Sequence, residues 1–202
     1  MIKVIVFDIG NVLARFGWED HLVERGYEEE TARRIGNATV QSRLWKELDR
    51  SVTMDKELIA RFVAQDPAME KEITDFLDHS CFMVQEYGYS VELVKRLKED
   101  GYQVYLLSNY GGRNYHYARD YFHFLEYVDG GVISYEVGYV KPEPEIYDAL
   151  IKKYDINPEE AIYIDDLKEN VRMADTFGFH TILFVGYEQL VTSLEKFKQN
   201  TI

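Results

Sequence analysis

The stretch that decides the fold is Ile2-Lys3-Val4-Ile5-Val6-Phe7-Asp8, an apolar run that ends on a carboxylate. Three later runs share its β-branched and aromatic character, and they cover residues 102–107, 161–164 and 181–185. Short apolar runs with polar or glycine positions on either side are typical of strands that are buried on both faces of a parallel sheet. The four runs therefore predict a parallel sheet at the centre of the molecule.

Helical patterns separate the later runs, because apolar residues there recur every three or four positions. We predict a helix that Ser90 caps and Gly101 closes, and further helices that begin after Pro142 and Pro144, near Leu167 and near Tyr187. Strands that alternate with helices in this way indicate an α/β fold with a doubly wound parallel sheet.

The connection from Phe7 to Tyr102 is far longer than a single crossover helix requires. Residues 16–85 carry helical patterns and no pattern typical of a strand. Within them, we expect Thr53 to cap one helix and Pro67 to begin another. We therefore predict two domains. Residues 1–15 and 86–202 would form the α/β core, and residues 16–85 would form an all-helical cap inserted after the first strand.

The charge balance limits the classes of partner. The chain has 202 residues, of which 36 are acidic and 23 are Lys or Arg, so its formal net charge is −13. Because nucleic acids and anionic lipids are bound through basic surfaces, we expect neither as a partner. The single cysteine, Cys81, excludes an intrachain disulfide, and no apolar run is long enough for a signal peptide or a membrane span. These features predict a cytoplasmic protein, a monomer or a homodimer, that binds a small molecule.

Polar side chains follow three of the predicted strands, and a lysine precedes one of the predicted helices. The residues concerned are Asp8, Ser108, Asn109, Lys141, Asp165 and Asp166. The carboxyl ends of parallel strands meet at one edge of the sheet, where ligands bind. We therefore expect these side chains to converge on one site.

Three carboxylates in one site repel one another, and a cation among them relieves the repulsion. Oxygen ligands without His or Cys select a hard ion, usually Mg2+, which also binds phosphate oxygens. Lys141 and a hydroxyl group would neutralise and orient a phosphate, and an oxygen of Asp8 could attack its phosphorus. The residues therefore point to phosphoryl transfer with Mg2+ as cofactor.

Four segments carry recognisable motifs. They are residues 4–13 (VIVFDIGNVL), residues 106–109 (LLSN), residues 141–144 (KPEP) and residues 163–166 (YIDD) together with Asn170. In this order and spacing they resemble the four motifs of the haloacid dehalogenase superfamily, in its phosphatase-like branch with a helical cap of the C1 type. The resemblance spans the whole chain. It implies a Rossmann-like core and a hydrolase that cleaves a phosphoric monoester, such as a sugar phosphate, with Mg2+.

The resemblance also implies a role for each residue. Asp8 would be the nucleophile that forms an aspartyl-phosphate, while Ser108 and Lys141 would bind the phosphoryl group. Asn109 would help to position the substrate. Asp8, Asp166 and the carbonyl group of Gly10 would ligate Mg2+, and Asp165 would hold a metal-bound water. Asn170 would support the loop below the metal.

Gly10 departs from the pattern of most phosphatases in this superfamily. They carry at this position an aspartate that serves as general acid and base, a contribution typically worth about 10²–10⁴-fold in rate. A residue of the cap or the substrate itself could replace it. Two alternatives also fit Gly10: a metal-independent 2-haloacid dehalogenase, and a catalytically weakened binding protein with the same fold.

Overall fold

A computed structural model describes residues 1–199 of the chain. Its seven strands are β1 (Val4–Phe7), β2 (Ala14–Phe16), β3 (Val84–Glu86), β4 (Gln103–Ser108), β5 (Gly130–Ile133), β6 (Ala161–Asp165) and β7 (His180–Leu183). Five of them form one sheet in the order β5-β4-β1-β6-β7, and every neighbouring pair is parallel. This arrangement confirms the predicted parallel sheet.

The helices fall into two groups. Those of the first half are α1 (Trp18–Glu24), α2 (Glu29–Ala38), α3 (Leu44–Arg50), α4 (Lys56–Val63) and α5 (Glu70–His79). Those of the second half are α6 (Ser90–Glu99), α7 (Gly112–Ala118), α8 (Ser134–Val137), α9 (Pro144–Tyr154), α10 (Lys168–Thr176) and α11 (Tyr187–Gln199). Across residues 1–199, no helix combines the length and the apolar composition that crossing a membrane would demand.

The sheet is buried on both faces, as the apolar runs predict. Val4 and Val6 of β1 belong to a core cluster that includes buried residues of α9 and α10. Ile5 and Phe7 belong to the opposite cluster, which includes buried residues of α6 and α11. Helices therefore cover both faces of the sheet, which confirms the doubly wound α/β fold.

The fifth strand of the sheet, β5, is one that the sequence patterns do not reveal. Its first two residues are Gly130 and Gly131, so only two apolar side chains remain to signal a strand. Gly131 is required by close packing, because a Cβ atom there would lie 2.7 Å from the Leu106 backbone oxygen of the neighbouring strand. The glycine that allows β5 to lie close to its neighbouring strand therefore also weakens the apolar pattern that would identify β5 in the sequence.

Residues 16–85 contain α1–α5, and these helices share a hydrophobic cluster of their own around Phe62, Ile73 and Phe76. The expectation that this region is entirely helical is wrong at its ends, because β2 and β3 form a two-stranded antiparallel sheet there. The proposed boundaries at residues 16 and 85 fall inside these two strands. We retain the division into core and cap as a proposal.

The expected helix starts are confirmed at α9, α10 and α11. Ser90 is the first residue of α6 and does not cap it, because its hydroxyl donates to the Leu13 carbonyl oxygen at 2.6 Å. In the cap, Thr53 does not cap α4. Asp55 does so instead, because its side chain accepts a hydrogen bond from the N–H group of Leu58 at 2.8 Å. Both residue types favour this position, and Asp55 is the one that directly precedes the helix.

Candidate active site

The carboxyl edge of the sheet gathers the side chains that the sequence singles out. Asp8 follows β1, Ser108 ends β4, and Asp165 ends β6 with Asp166 next to it. Lys141 reaches the same place from the segment before α9, and its ammonium group lies 2.9 Å from Asp8. All of the expected site residues therefore lie at one end of the central strands.

The Asp8 carboxylate is held by one of its two oxygens. Oδ1 accepts a hydrogen bond from the Ile9 N–H group at 2.7 Å and forms an ion pair with Lys141 Nζ at 2.9 Å. Oδ2 accepts none from the described residues, and the side chain lines a cavity. This arrangement fixes the carboxylate and leaves one oxygen available to a ligand.

Lys141 is the cation at the centre of the site. Its side chain is only 1% exposed, and Nζ lies between Asp8 and Asp165, 2.7 Å from Asp165 Oδ2. Burial lowers the pKa of Lys141, but the charges and hydrogen bonds of the two carboxylates outweigh burial and raise that pKa above its ordinary value. Lys141 is therefore ionised at neutral pH.

Asp165 is fully buried, and protein donors surround both of its oxygens. Oδ1 accepts from the Leu167 N–H group at 2.8 Å and from Asn170 Nδ2 at 3.0 Å. Oδ2 accepts from the Tyr163 hydroxyl at 2.6 Å as well as from Lys141. These contacts suit Asp165 to fixing Lys141, and they differ from the expected role of holding a metal-bound water. Asn170 supports this loop as expected.

Asp166 differs from Asp165 because it is partly exposed and lines the cavity. Asn11 Nδ2 donates to its Oδ2 at 3.1 Å. Asn11 itself adopts a left-handed backbone conformation, with φ at 56°, which turns the chain back after β1. The Gly10 carbonyl oxygen, one residue earlier, accepts no hydrogen bond from any residue between 1 and 199.

The three carboxylates form a compact cluster. One oxygen from each of Asp8, Asp165 and Asp166 lies within 4.8 Å of the other two. Burial raises the pKa of Asp8 from 3.8 to about 7, and the charges of Asp165 and Asp166 add to the rise, while Lys141 opposes it. Burial likewise raises the pKa of Asp166. The site therefore concentrates negative charge that a cation would relieve.

Ser108 and Asn109 serve the site differently. Ser108 is buried at the end of β4, and its hydroxyl lines the cavity without a hydrogen bond to any residue that the structure describes. The Asn109 side chain is occupied at both ends, because Oδ1 accepts from Lys141 N at 2.7 Å and Nδ2 donates to Lys141 O at 3.1 Å. Asn109 thus holds the backbone of Lys141, and only its backbone remains for a substrate contact.

The cavity above these residues has a volume of about 490 Å³, within the usual range for a small-molecule site. One wall is apolar and comes from the cap and its base, with Phe16, Val40, Trp45, Met83 and Val84. The same cavity is lined by Asp49 of α3. Sequence reasoning missed Asp49, because no motif surrounds it and only the docking of α3 brings it to the site.

The carboxyl end of α3 docks closely on the core. Ser134 Oγ donates to the Asp49 carbonyl oxygen at 2.6 Å, and the Gly112 N–H group donates to the Ser51 carbonyl oxygen at 2.9 Å. A Cβ atom at Gly111 would lie 2.6 Å from the Leu48 carbonyl oxygen, so glycine is needed there for the approach of the two backbones. These contacts fix the position of Asp49 relative to the sheet.

Comparison with known proteins gives a consistent result. A family model described as haloacid dehalogenase-like hydrolase matches residues 2–178. The chain is 26% identical over 197 residues to a D-ribitol-5-phosphate phosphatase from Bacteroides thetaiotaomicron, covering 90% of this chain and 91% of the relative. It is 24% identical over 176 residues to a sesquiterpene phosphatase from Aspergillus oryzae, covering 87% and 86%.

Solved structures agree on the fold. A HAD family enzyme from Bacteroides thetaiotaomicron, in complex with magnesium and inorganic phosphate, matches with a TM-score of 0.66 and 24% identity over 90% of this chain and 93% of that one. An L-2-haloacid dehalogenase from Xanthobacter autotrophicus matches with a TM-score of 0.68 and 17% identity over 97% and 83%. At these identities the structural matches establish the fold alone.

Proposed function

The chain belongs to the haloacid dehalogenase-like hydrolases, and from this membership and the geometry of the site we propose that it is a Mg2+-dependent phosphatase. Its substrate would be a small phosphorylated metabolite, and its nucleophile Asp8. Two relatives that align over most of this chain are phosphatases, and they support this reaction class. One of them is a phosphatase of a sugar-alcohol phosphate.

The observation that carries the proposal is the asymmetry of the Asp8 carboxylate. Lys141 and the Ile9 N–H group hold Oδ1, so Oδ2 is presented to the cavity in a fixed direction. A nucleophile held in this way can attack phosphorus in line with the leaving oxygen. Ser108 and Lys141 lie where they can donate to the phosphoryl oxygens, over which the charge of the transition state is spread.

The donor set at the site fits Mg2+. Asp8, the partly exposed Asp166 and the Gly10 carbonyl group, which accepts no hydrogen bond from residues 1–199, all offer oxygen ligands. Mg2+ usually takes few protein ligands and keeps water and substrate oxygens. When bound, the ion would neutralise the phosphoryl oxygens and favour the ionised form of Asp8. Asp165 would contribute indirectly, by fixing the position of Lys141.

Gly10 is the one observation that favours a different reaction. A dehalogenase of this superfamily needs no general acid at that position, and it needs no metal. Asp166 argues against this alternative, because a second cavity-lining carboxylate beside Asp8 would repel a carboxylate substrate unless a cation lies between them. Metal dependence therefore separates the two reactions.

The proposal is tested by phosphate release from p-nitrophenyl phosphate and from a panel of sugar and alkyl phosphates, with Mg2+ and with EDTA. We expect turnover that EDTA abolishes and that Asp8→Asn lowers by at least about 10³-fold. Asp175→Asn, an exposed aspartate on α10, is the matched control and should retain full activity. Release of chloride from 2-chloropropionate in EDTA, without phosphate release from any ester, would reject the phosphatase. Turnover of neither class of substrate, with Mg2+ shown to bind, would favour an untested substrate or the catalytically weakened binding protein.

A further inference from the structure

The proposed reaction lacks a visible proton donor for the leaving oxygen. Gly10 has no side chain, and both Asp8 and Asp166 belong to the nucleophile and metal cluster. Lys141 is locked between two carboxylates and keeps its proton. An alcohol leaving group that departs unprotonated is a strong base, so a phosphatase with this site needs an acid from elsewhere.

Asp49 is a carboxylate of the cavity outside the metal cluster. It enters from the cap, on the last turn of α3, and lines the same cavity as Asp8 and Ser108. Its carboxylate makes no hydrogen bond and no ion pair with any residue in the described range, although Asp8, Asp165 and Asp166 are all engaged. A half-buried carboxyl group with no structural partner is free to exchange a proton with a ligand.

The backbone around Asp49 is held firmly although the carboxylate is free. Ser134 binds its carbonyl oxygen, and the next residue, Arg50, forms a bidentate ion pair with Glu143 at 2.5 and 2.7 Å. Glu143 lies two residues after Lys141, so this pair ties Asp49 to the segment that carries the central cation. Such support from neighbouring contacts is what a catalytic group requires to keep its position.

We propose that Asp49 is the general acid and base of the hydrolysis, replacing from the cap the carboxylate that Gly10 cannot provide. This inference rests on the proposed phosphatase function.

The electrostatic surroundings of Asp49 suit this role. Burial raises its pKa from 3.8 to about 7, and the charge of Asp8 adds to the rise. Lys141 from the core and Lys46 and Arg50 from its own helix oppose it. The Tyr110 hydroxyl is buried and has no hydrogen-bond partner in the described part of the chain. Burial and then the charge of Asp49 raise the pKa of this hydroxyl. A carboxyl group that titrates near neutral pH can both give and take a proton.

The hydrolysis proceeds in two steps. Asp8 Oδ2 forms a bond to phosphorus while the bond from phosphorus to the leaving oxygen breaks, and the Asp49 carboxyl proton passes to that oxygen to release the alcohol. Asp49, now a carboxylate, takes a proton from a water molecule whose oxygen attacks the phosphorus of the aspartyl-phosphate. The bond from phosphorus to Asp8 breaks, inorganic phosphate leaves, and both side chains return to their first state.

The test compares leaving groups that differ in their need for a proton. We expect Asp49→Asn to lower kcat/KM for an alkyl phosphate by about 10²–10⁴-fold, the usual contribution of a general acid. For p-nitrophenyl phosphate, whose leaving group departs as a stable anion, the same change should lower kcat/KM by less than 10-fold. Glu57→Gln is the matched control, because Glu57 is an exposed carboxylate of the cap helix α4 and does not line the cavity.

An equal loss with both esters would overturn the proposal, because it would assign Asp49 to binding or to structure. Dependence of wild-type turnover on Asp8 tests the phosphatase function separately, so the two failures are distinguishable. A second variant tests the position of the acid directly. A Cβ atom at Gly10 meets nothing within 4 Å. We expect Gly10→Asp in the Asp49→Asn background to raise kcat/KM for the alkyl phosphate at least 10-fold. If kcat/KM does not recover while the double variant still hydrolyses p-nitrophenyl phosphate, the defect of Asp49→Asn is not one of proton transfer.

Discussion

At the residue scale, Asp165 and Asp49 are opposite cases of a carboxylate in the active-site region. Asp165 is saturated by donors, and its charge is balanced by Lys141 at 2.7 Å. The Asp49 carboxylate accepts no hydrogen bond from residues 1–199, and burial and then the charge of Asp8 raise its pKa. A carboxylate that is saturated by donors is held rigidly in one position, whereas an unpartnered buried carboxylate holds its proton to higher pH. Hydrogen bonding therefore separates a supporting role from a proton-transfer role.

This contrast predicts how stability depends on pH. Between pH 4 and 7 the folded protein keeps a proton on Asp49 that the unfolded chain has released, because burial raises the folded-state pKa to about 7. The free energy of unfolding therefore falls through this range as pH rises. Asp49→Asn removes this loss. Relative to the wild type, the free energy of unfolding of the variant should therefore rise by about 1–3 kcal/mol when the pH is raised from 5 to 8.

Urea unfolding of both proteins at the two pH values, in EDTA, measures the difference. Glu57→Gln, which removes an exposed carboxylate of α4, should show the same pH dependence as the wild type. A variant of Asp49 that gains nothing at pH 8 would mean that Asp49 is ionised well below neutral pH.

The sequence allows the core of the site to be predicted for a physical reason. Asp8, Ser108 and Asp165 lie at the ends of apolar strands, and the topology of a parallel sheet alone brings strand ends together. Asp49 could not be found in this way, because its position depends on how the cap docks. The roles of Asn109 and Asp165 also depend on which hydrogen bonds they make, and a motif does not specify these.

At the element scale, the strength of a strand signal follows the number of apolar residues that the strand contributes. β1, β4 and β6 are central and buried on both faces, so they are evident in the sequence. β5 begins with two glycines, and β2 and β3 have only three residues each. β2 and β3 pair with each other because the chain leaves and re-enters the core at adjacent positions. Pairing between segments so far apart in the chain leaves no local pattern in the sequence.

The docking of α3 predicts a measurable coupling between the cap and the core. Arg50 and Glu143 are partly buried and form a bidentate pair, the strong form of such a contact. Arg50→Gln and Glu143→Gln should each lower kcat/KM for the alkyl phosphate, and in a double-mutant cycle their effects should be coupled by about 1–2 kcal/mol. The reason is that either change alone removes the same contact between α3 and the segment that carries Lys141.

The control for this cycle is Arg33 with Glu30, a bidentate pair on α2 in which both side chains are more than half exposed. Exposed pairs contribute little, and these two residues do not line the cavity. Changes to glutamine there should leave kcat/KM within twofold of the wild type. Strictly additive effects of the Arg50 and Glu143 changes would show that the pair does not position the cap.

At the scale of the whole molecule, the two parts of the chain contribute different chemistry. The sheet edge supplies the nucleophile, the cation Lys141 and oxygen ligands, while the cap supplies the apolar wall and Asp49. The net charge of −13 sets up a field that repels a phosphorylated substrate and attracts a divalent cation. The site therefore needs local positive charge in order to bind a phosphate. Lys141 alone cannot supply it, because two carboxylates already neutralise the charge of Lys141.

A bound cation would supply this charge, and it would also stabilise the folded chain, because the carboxylate cluster exists only there. At a Mg2+ concentration about 100 times its Kd, we expect about 2.7 kcal/mol of stabilisation, which for a chain of this size is an increase in Tm of about 5–10 °C. Thermal unfolding in MgCl2, against EDTA with NaCl of equal ionic strength, measures it. Asp166→Asn should remove most of the increase, because it deletes the partly exposed carboxylate of the cluster, whereas Asp175→Asn on α10 should keep it. An increase of the same size in the Asp166 variant would place the cation elsewhere on this acidic surface and would leave Asp8 without the charge that keeps it ionised.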